Sequence, residues 1–425
     1  MKRTTLLVLL YLLLTLALVA CGGGGTEPAA PPAADQPAAD QPAADAPATS
    51  DEVACDDPLG CVIIAPGDPI ILASALVISG PNTELGLDSQ YGVQLAIDFR
   101  GEVLGHPVQL QPEDDGCSAE GGQTSAQKIV SNRQIVAMIG TSCSGAGVPA
   151  ARIISDAGFA MVSPSNTSPS LTDPALHQPG YLRTAHNDTV QGAAMAEFAY
   201  NELGIRKAAA IHDGDPYTEG LASVFADAFR ALGGEIVAFE AESAEATNVE
   251  PLLTSLAAAG PEFVYLPVFI PLGSLIVNTA SDVDGMSGVI LAGADGIQSP
   301  SFLANTVGTS DGMYVSGPDL SFSNTFYEET FLPAYRDKYG SDPTAPFHAH
   351  AFDATNMILD AIEKVAQQGA NGTVIGRQAL RDALFATSGM QGITGTITCN
   401  EFGDCADPQI SVSQVKGDTF DRIWP

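Results

Sequence analysis

The sequence predicts an α/β protein of two Rossmann-like lobes, each a parallel β-sheet clothed in helices. Three observations carry this. The 425-residue chain exceeds what one hydrophobic core usually serves, so two bodies of roughly 150–200 residues are expected. Hydrophobic residues make up 45% and charged residues only 16%, the balance of a globular chain rather than a disordered one. From Val62 onward, short apolar runs alternate with helical patterns over one stretch and then again over a second, as parallel sheets with crossover helices require.

In the first stretch, residues 70–78 read as a strand and 90–99 as a helix, entered through the loop Ser79-Gly80-Pro81-Asn82-Thr83-Glu84-Leu85-Gly86. A strand at 108–112, a helix at 121–131, a strand at 136–140, a helix at 147–157 and a strand at 160–163 follow. After Arg183 the pattern restarts with helix 189–203, strand 207–212, helix 217–232, strand 236–239, helix 249–258 and strand 263–266. A helix at 326–339, a helical stretch at 352–368 and strands at 394–398 and 409–415 complete the chain.

Ahead of the folded part, Lys2 and Arg3 precede an apolar run over residues 6–20. It falls short of the roughly 20 apolar residues a spanning helix needs and fits an export signal over residues 1–20. The run ends Leu18-Val19-Ala20-Cys21 before a glycine tract, which resembles the lipobox of bacterial lipoproteins, where the cysteine becomes an acylated N-terminus after cleavage. Acylated Cys21 would anchor the protein to a membrane without a spanning helix. Ala, Pro, Asp and Gln then dominate, with Pro-Ala-Ala-Asp-Gln at 32–36 and again at 37–41. Such a segment buries too little to offset its ordering entropy, so residues 21–54 are expected to form a proline-stiffened tether, at ~3.1 Å per residue several tens of Å long. Lys and Arg number 17 against 50 Asp and Glu, a formal charge of −33. That field repels phosphate backbones, so nucleic acid is excluded as a partner.

Six cysteines remain besides Cys21, an even number that argues for disulfides in an exported chain. Cys55 and Cys61 enclose one turn-rich loop and Cys399 and Cys405 another, each able to close locally, which leaves Cys117 with Cys143. The spacings are not the paired C-x-x-C of zinc sites, and His348-Ala349-His350 is the one histidine pair close in sequence, so no metal is expected. Gly145-Ala146-Gly147-Val148-Pro149-Ala150 invites a dinucleotide fingerprint, but no acidic residue ends the next strand near Ser163 to hold a ribose. Gly140-Thr141-Ser142-Cys143-Ser144 lacks the second glycine of a nucleophile elbow. What survives is Ser144 at a helix N-terminus, where free N–H groups and the helix dipole favour a carboxylate.

Several segments together resemble the leucine/isoleucine/valine-binding proteins, type I periplasmic binding proteins of ABC importers. They are Ser79-Gly80-Pro81, Asp114-Asp115-Gly116-Cys117, Ile139-Gly140-Thr141-Ser142-Cys143-Ser144, Ser163-Pro164-Ser165-Asn166-Thr167, His212-Asp213-Gly214-Asp215-Pro216-Tyr217-Thr218-Glu219-Gly220 and Phe263-Val264-Tyr265. The resemblance implies two lobes joined by three hinge crossovers near His186, Ser316 and Ile393. Lobe 1 would comprise residues 62–186 and 317–392, and lobe 2 residues 187–316 and 393–425. It implies a ligand carboxylate held by Ser144 and Thr167, with backbone contacts at Ser165, a contact from Tyr217, and a ligand ammonium facing Asp295 where relatives often have Glu. Leu85 stands where relatives carry an aromatic, Phe269 at a tyrosine position, and Phe347 at a side-chain pocket position; all three are apolar and favour an apolar ligand side chain.

The implied function is capture of a small amino-acid-like ligand, branched-chain or otherwise aliphatic, outside the cytoplasm and its delivery to an ABC permease. Capture of an amide, urea or an aromatic acid, or service as a ligand-sensing module, are the alternatives. With no convergent nucleophile and base and no metal cluster in the pattern, neither enzymatic activity nor a cofactor is expected.

Overall fold

The computed structural model describes residues 52–322 and 324–425, so the expected signal segment, Cys21 and nearly all of the tether lie outside the described residues. Lobe 1 grows from strand Ile70–Leu76, an uncharged run buried along almost its whole length, as the central strand of a parallel sheet must be. It pairs in parallel with His106–Asp114 on one side and Ile135–Gly140 on the other, and Ala160–Ser163 and Tyr181–Arg183 extend the sheet. Numbered along the chain, these five strands lie in the order second, first, third, fourth, fifth. Lobe 2 repeats that order with Glu235–Ala241, Lys207–His212, Phe263–Tyr265, Ile290–Gly293 and Tyr314–Pro318. Antiparallel Ile410–Lys416 and Thr419–Trp424 close its far edge. In such a sheet the carboxyl ends of the first and third strands form the topological switch point, the crevice where ligands sit. Each lobe has one.

Helices cover both faces of both sheets. In lobe 1, Thr83–Arg100, His348–Val365 and Arg377–Phe385 share one core with the sheet, and Ala119–Ser131 and Ser144–Asp156 share the other. Gly92 lets the first two helices meet backbone to backbone: a Cβ there would lie 2.1 Å from the His348 carbonyl oxygen. In lobe 2, Asp188–Glu197 and Pro216–Ala231 pack on one face and Glu250–Ala259, Ile270–Ala280 and Pro300–Asn305 on the other. The three disulfides are Cys55–Cys61, Cys117–Cys143 and Cys399–Cys405, the expected pairing. Among the described residues no helix is long and apolar enough to cross a membrane.

Several expectations are corrected. The helix expected at 90–99 begins at Thr83, inside the segment read as a loop. Its inward face carries a polar residue that hides the apolar period: buried Asp88 accepts from the N–H groups of Thr344 (3.0 Å) and His348 (2.8 Å). The helix expected at 147–157 likewise begins at Ser144, and that expected from 352 begins at His348. The latter ends at Val365, and Gln367–Gly369 then pairs antiparallel with Gly372–Gly376. The segment expected as helix 326–339 opens with a wide turn at Tyr327–Phe331 before the α-helix Leu332–Tyr339.

The chain also returns to lobe 2 later than Ile393. Asp353 of lobe 1 accepts from the N–H groups of Ile393 and Thr394 (both 2.9 Å), and residues 403–405 run beside Arg183, exchanging main-chain hydrogen bonds with it. Gly395–Ile397 therefore forms a hairpin with Met390–Gly392 on lobe 1, and the last crossing falls at residues 406–409.

Candidate functional site

Lobe 1 offers a wall of hydroxyls and main-chain N–H groups. The loop leaving Ile135–Gly140 runs into helix Ser144–Asp156, whose N-cap is Cys143, so Ser144 is the first helical residue rather than the cap. Its N-terminal N–H groups lack intrahelical partners. The Cys117–Cys143 disulfide ties this loop to the one carrying Asp115. Asp115 accepts from the N–H groups of Ser142 (2.6 Å) and Cys117 (2.8 Å), and burial pushes its carboxyl up to about 7. Ser165 donates to the Ser142 carbonyl at 2.9 Å, and the Asn166 amide donates to the carbonyls of Thr141 and Ser142. The Ser144 hydroxyl accepts the Ser168 N–H at 3.2 Å, which leaves its own proton to donate.

Lobe 2 offers the opposite chemistry. Asp295 follows strand Ile290–Gly293 and opens a short turn. Its Oδ1 accepts from Gln191 Nε2 at 2.7 Å and from the Tyr217 hydroxyl at 3.3 Å, while that hydroxyl accepts the Gly296 N–H at 3.1 Å. Burial raises the Asp295 carboxyl to about 6 despite these donors.

The two walls meet. Ser144, Ser165, Tyr217, Asp295, Leu85, Phe269 and Phe347 surround one tight gap of about 10 Å³, together with Ser142, Cys143 and Gly296. The rings of Tyr217 and Phe269 lie 5.3 Å apart. Thr167 is the expected residue that does not line it. Its carbonyl accepts the Asp188 N–H and its hydroxyl flanks the Asp188 carboxyl at the first crossing. The lobes also touch directly: Glu84 accepts the Ser301 N–H at 3.2 Å, and Ser168 donates to the Pro216 carbonyl at 2.9 Å.

Sequence reasoning missed Asp188, Gln191 and Arg183. Asp188 is wholly buried, and among the described residues the Thr167 hydroxyl beside it is the one donor group at its carboxyl, without a well-formed hydrogen bond. Burial first, then the neighbouring Asp295, raises its carboxyl well above the usual range. Arg183 offsets only part of this. Its guanidinium is spent on Asp404 (2.6 Å), the Asn166 and Ser168 carbonyls and the Thr172 hydroxyl. Gln191 connects His186 to Asp295 and to Ser316 of strand Tyr314–Pro318. The signal was the spacing Asp188-x-x-Gln191, which sets both on one helical face pointing back at the cleft.

A larger groove, about 840 Å³, opens on the outer face of lobe 1 between Phe99, Phe326 and Met390, but it is not bounded by both walls and does not unite the switch points. Among the described residues no group of three or more His, Cys, Asp or Glu is placed to hold a metal ion. His348 of the histidine pair is engaged by Asp88 and Tyr327.

Residues 69–418 match the family described as periplasmic binding protein. The leucine-, isoleucine-, valine-, threonine- and alanine-binding protein of Pseudomonas aeruginosa is 27% identical over 343 residues, covering 79% of this chain and 87% of that one. A leucine-binding protein from Thermotoga maritima superimposes with a TM-score of 0.75 at 25% identity, covering 83% of this chain and 97% of that one. A branched-chain amino acid transporter substrate-binding protein from Streptococcus pneumoniae, solved with isoleucine, gives a TM-score of 0.73 at 22% identity and covers 84% of this chain and all of that one.

Proposed function

Because this chain belongs to the periplasmic binding protein family, a family of solute-binding proteins and not of enzymes, we propose that it captures a small amino acid with an aliphatic side chain between its two lobes and hands it to an ABC import permease. The observation that carries this is the division of charge across the cleft. The hydroxyl and helix-terminal N–H of Ser144 and the hydroxyl of Ser165 stand on one side, and the buried acid Asp295 on the other. Buried carboxylates without a cation are costly, and an ammonium group supplies the missing partner. A carboxylate on the same molecule answers the free donors of lobe 1. Leu85, Phe269 and Phe347 leave the remaining wall apolar, which suits an aliphatic side chain.

Delivery requires the protein to stay near its permease. The signal-like segment, Cys21 and the proline-rich tether support an acylated, membrane-anchored form outside the cytoplasm. Mass spectrometry of the protein from a bacterium with lipoprotein processing tests the anchor, and an unmodified Cys21 would refute it. A thermal-shift panel tests the ligand, since whatever binds only the folded state raises the melting temperature. Leucine, isoleucine, valine, alanine and threonine should raise it. A rise with benzoate, acetamide or urea and none with the amino acids would leave the solute-binding class standing and refute the amino-acid reading.

A further inference from the structure

We propose that Asp215 is a closure latch, a positioning residue that bridges the two lobes and sets how long a captured ligand stays. Asp215 is the N-cap of helix Pro216–Ala231 in lobe 2, its carboxylate accepting the Tyr217 N–H at 2.8 Å. The same carboxylate reaches across to helix Ser144–Asp156 of lobe 1. It approaches Gly145 so closely that a Cβ there would lie 2.0 Å from Oδ2, and the Gly145 N–H faces it. One carboxylate is thus shared by the N-termini of two helices, one from each lobe, and both dipoles favour its charge. Glycine at position 145 leaves the room that the carboxylate occupies, and a methyl there would displace it.

The acids that feel Asp215 are Asp213 on its own loop, Asp115 on the lobe 1 loop and Asp188 at the first crossing. Of these, Asp115 faces Asp215 from the opposite lobe and its repulsion opposes closure, so the two helix termini are what favour it. Asp215 also lies outside the residues that line the gap, which separates holding the cleft shut from touching the ligand. Opening the lobes separates the carboxylate from Gly145, so the latch acts on dissociation more than on association.

The inference rests on two-lobed capture but not on the identity of the ligand. The test uses Asp215→Ala, Gly145→Ala and the double variant in the full chain, with melting temperatures to confirm folding. With L-leucine as probe, Asp215→Ala should raise the dissociation rate about tenfold and leave association within about twofold. Gly145→Ala should raise the rate in the parent, where its methyl meets Asp215, and have no further effect in the Asp215→Ala background. An unchanged dissociation rate in Asp215→Ala, or an equal effect of Gly145→Ala in both backgrounds, overturns the latch. If L-leucine does not bind the parent, the ligand reading fails and small-angle scattering of the ligand-free proteins decides the latch. A larger radius of gyration in Asp215→Ala than in the parent supports it, and equal radii overturn it.

Discussion

Asp295→Asn isolates the charge of the ammonium site while keeping its shape. The asparagine oxygen can still accept from Gln191 Nε2 and the Tyr217 hydroxyl, which now reach Asp295 at 2.7 and 3.3 Å, so the turn should survive. What is lost is a carboxylate buried to 5% exposure facing a ligand ammonium. Two unit charges about 4 Å apart at an effective dielectric near 20 attract by about 4 kcal/mol, an upper bound here because the neutral amide keeps part of the interaction. Removing one member of a desolvated pair costs about 2–4 kcal/mol, so leucine affinity should fall roughly 30- to 1000-fold. The pH dependence gives a second reading. In the empty cleft Asp295 titrates at about 6, and an ammonium ligand requires the ionised form. Protons therefore compete below that value, and parent affinity should be flat from pH 8 to 7 and about tenfold weaker at pH 5. The variant should lose this contribution. Calorimetric titrations of parent and variant across that range read both effects. Equal affinities of the two proteins for leucine at pH 8 would refute the assignment of Asp295, whatever the ligand class.

Asp188→Asn should also weaken leucine, by about tenfold, and raise the melting temperature of the ligand-free protein, because it replaces a wholly buried acid that lies beside Asp295; a lower melting temperature in the ligand-free variant contradicts this. The ligand-free protein should become more heat-stable as pH falls from about 7 towards 4. Asp115, Asp215, Asp295 and Asp353 are all raised to about 6 or 7, so these acids bind protons more tightly in the folded chain over that window, and with Asp188 they outweigh His177, His186 and His350, which burial lowers and which pull the other way. Calorimetry showing a melting temperature that falls steadily from pH 7 to 5 would contradict that sign. Replacing Cys117 and Cys143 together by Ser should cost about 2–4 kcal/mol in denaturant unfolding and weaken ligand binding as well, since that disulfide holds the loop leading into Ser144. Gly92→Ala should cost more than about 2 kcal/mol, because its methyl meets a main-chain carbonyl rather than a movable side chain; a shift within the error of the melting measurement would contradict the packing described.

How much of this was legible in the sequence varied with the kind of signal. The central strands, such as Ile70–Leu76 and Ile135–Gly140, are aliphatic runs between loops and could be read directly. The helix starts could not. Thr83–Arg100 turns Asp88 and Ser89 inward, and a buried carboxylate that caps another segment's N–H groups looks, in sequence, like a solvent-facing residue. The resemblance implied a return to lobe 2 near Ile393, and nothing in the local sequence says which lobe that segment joins. Asp353, forty residues earlier in the chain, decides that. Within the cleft, residues that resemblance singles out for their chemistry gathered as expected, except Thr167. Asp188 and Gln191 act through burial and through partners distant in sequence, which no local pattern records.

The repeated strand order of the two lobes makes the cleft a seam between two versions of one surface. Had both versions kept the same side chains, a guest would meet the same chemistry from either direction. Lobe 1 carries short hydroxyl residues around its main-chain donors, and lobe 2 carries Asp295 and the Tyr217 hydroxyl on the facing wall. If the proposed capture holds, a guest with one positive and one negative end has a single way to lie across the seam, and a molecule with the same charge at both ends has none.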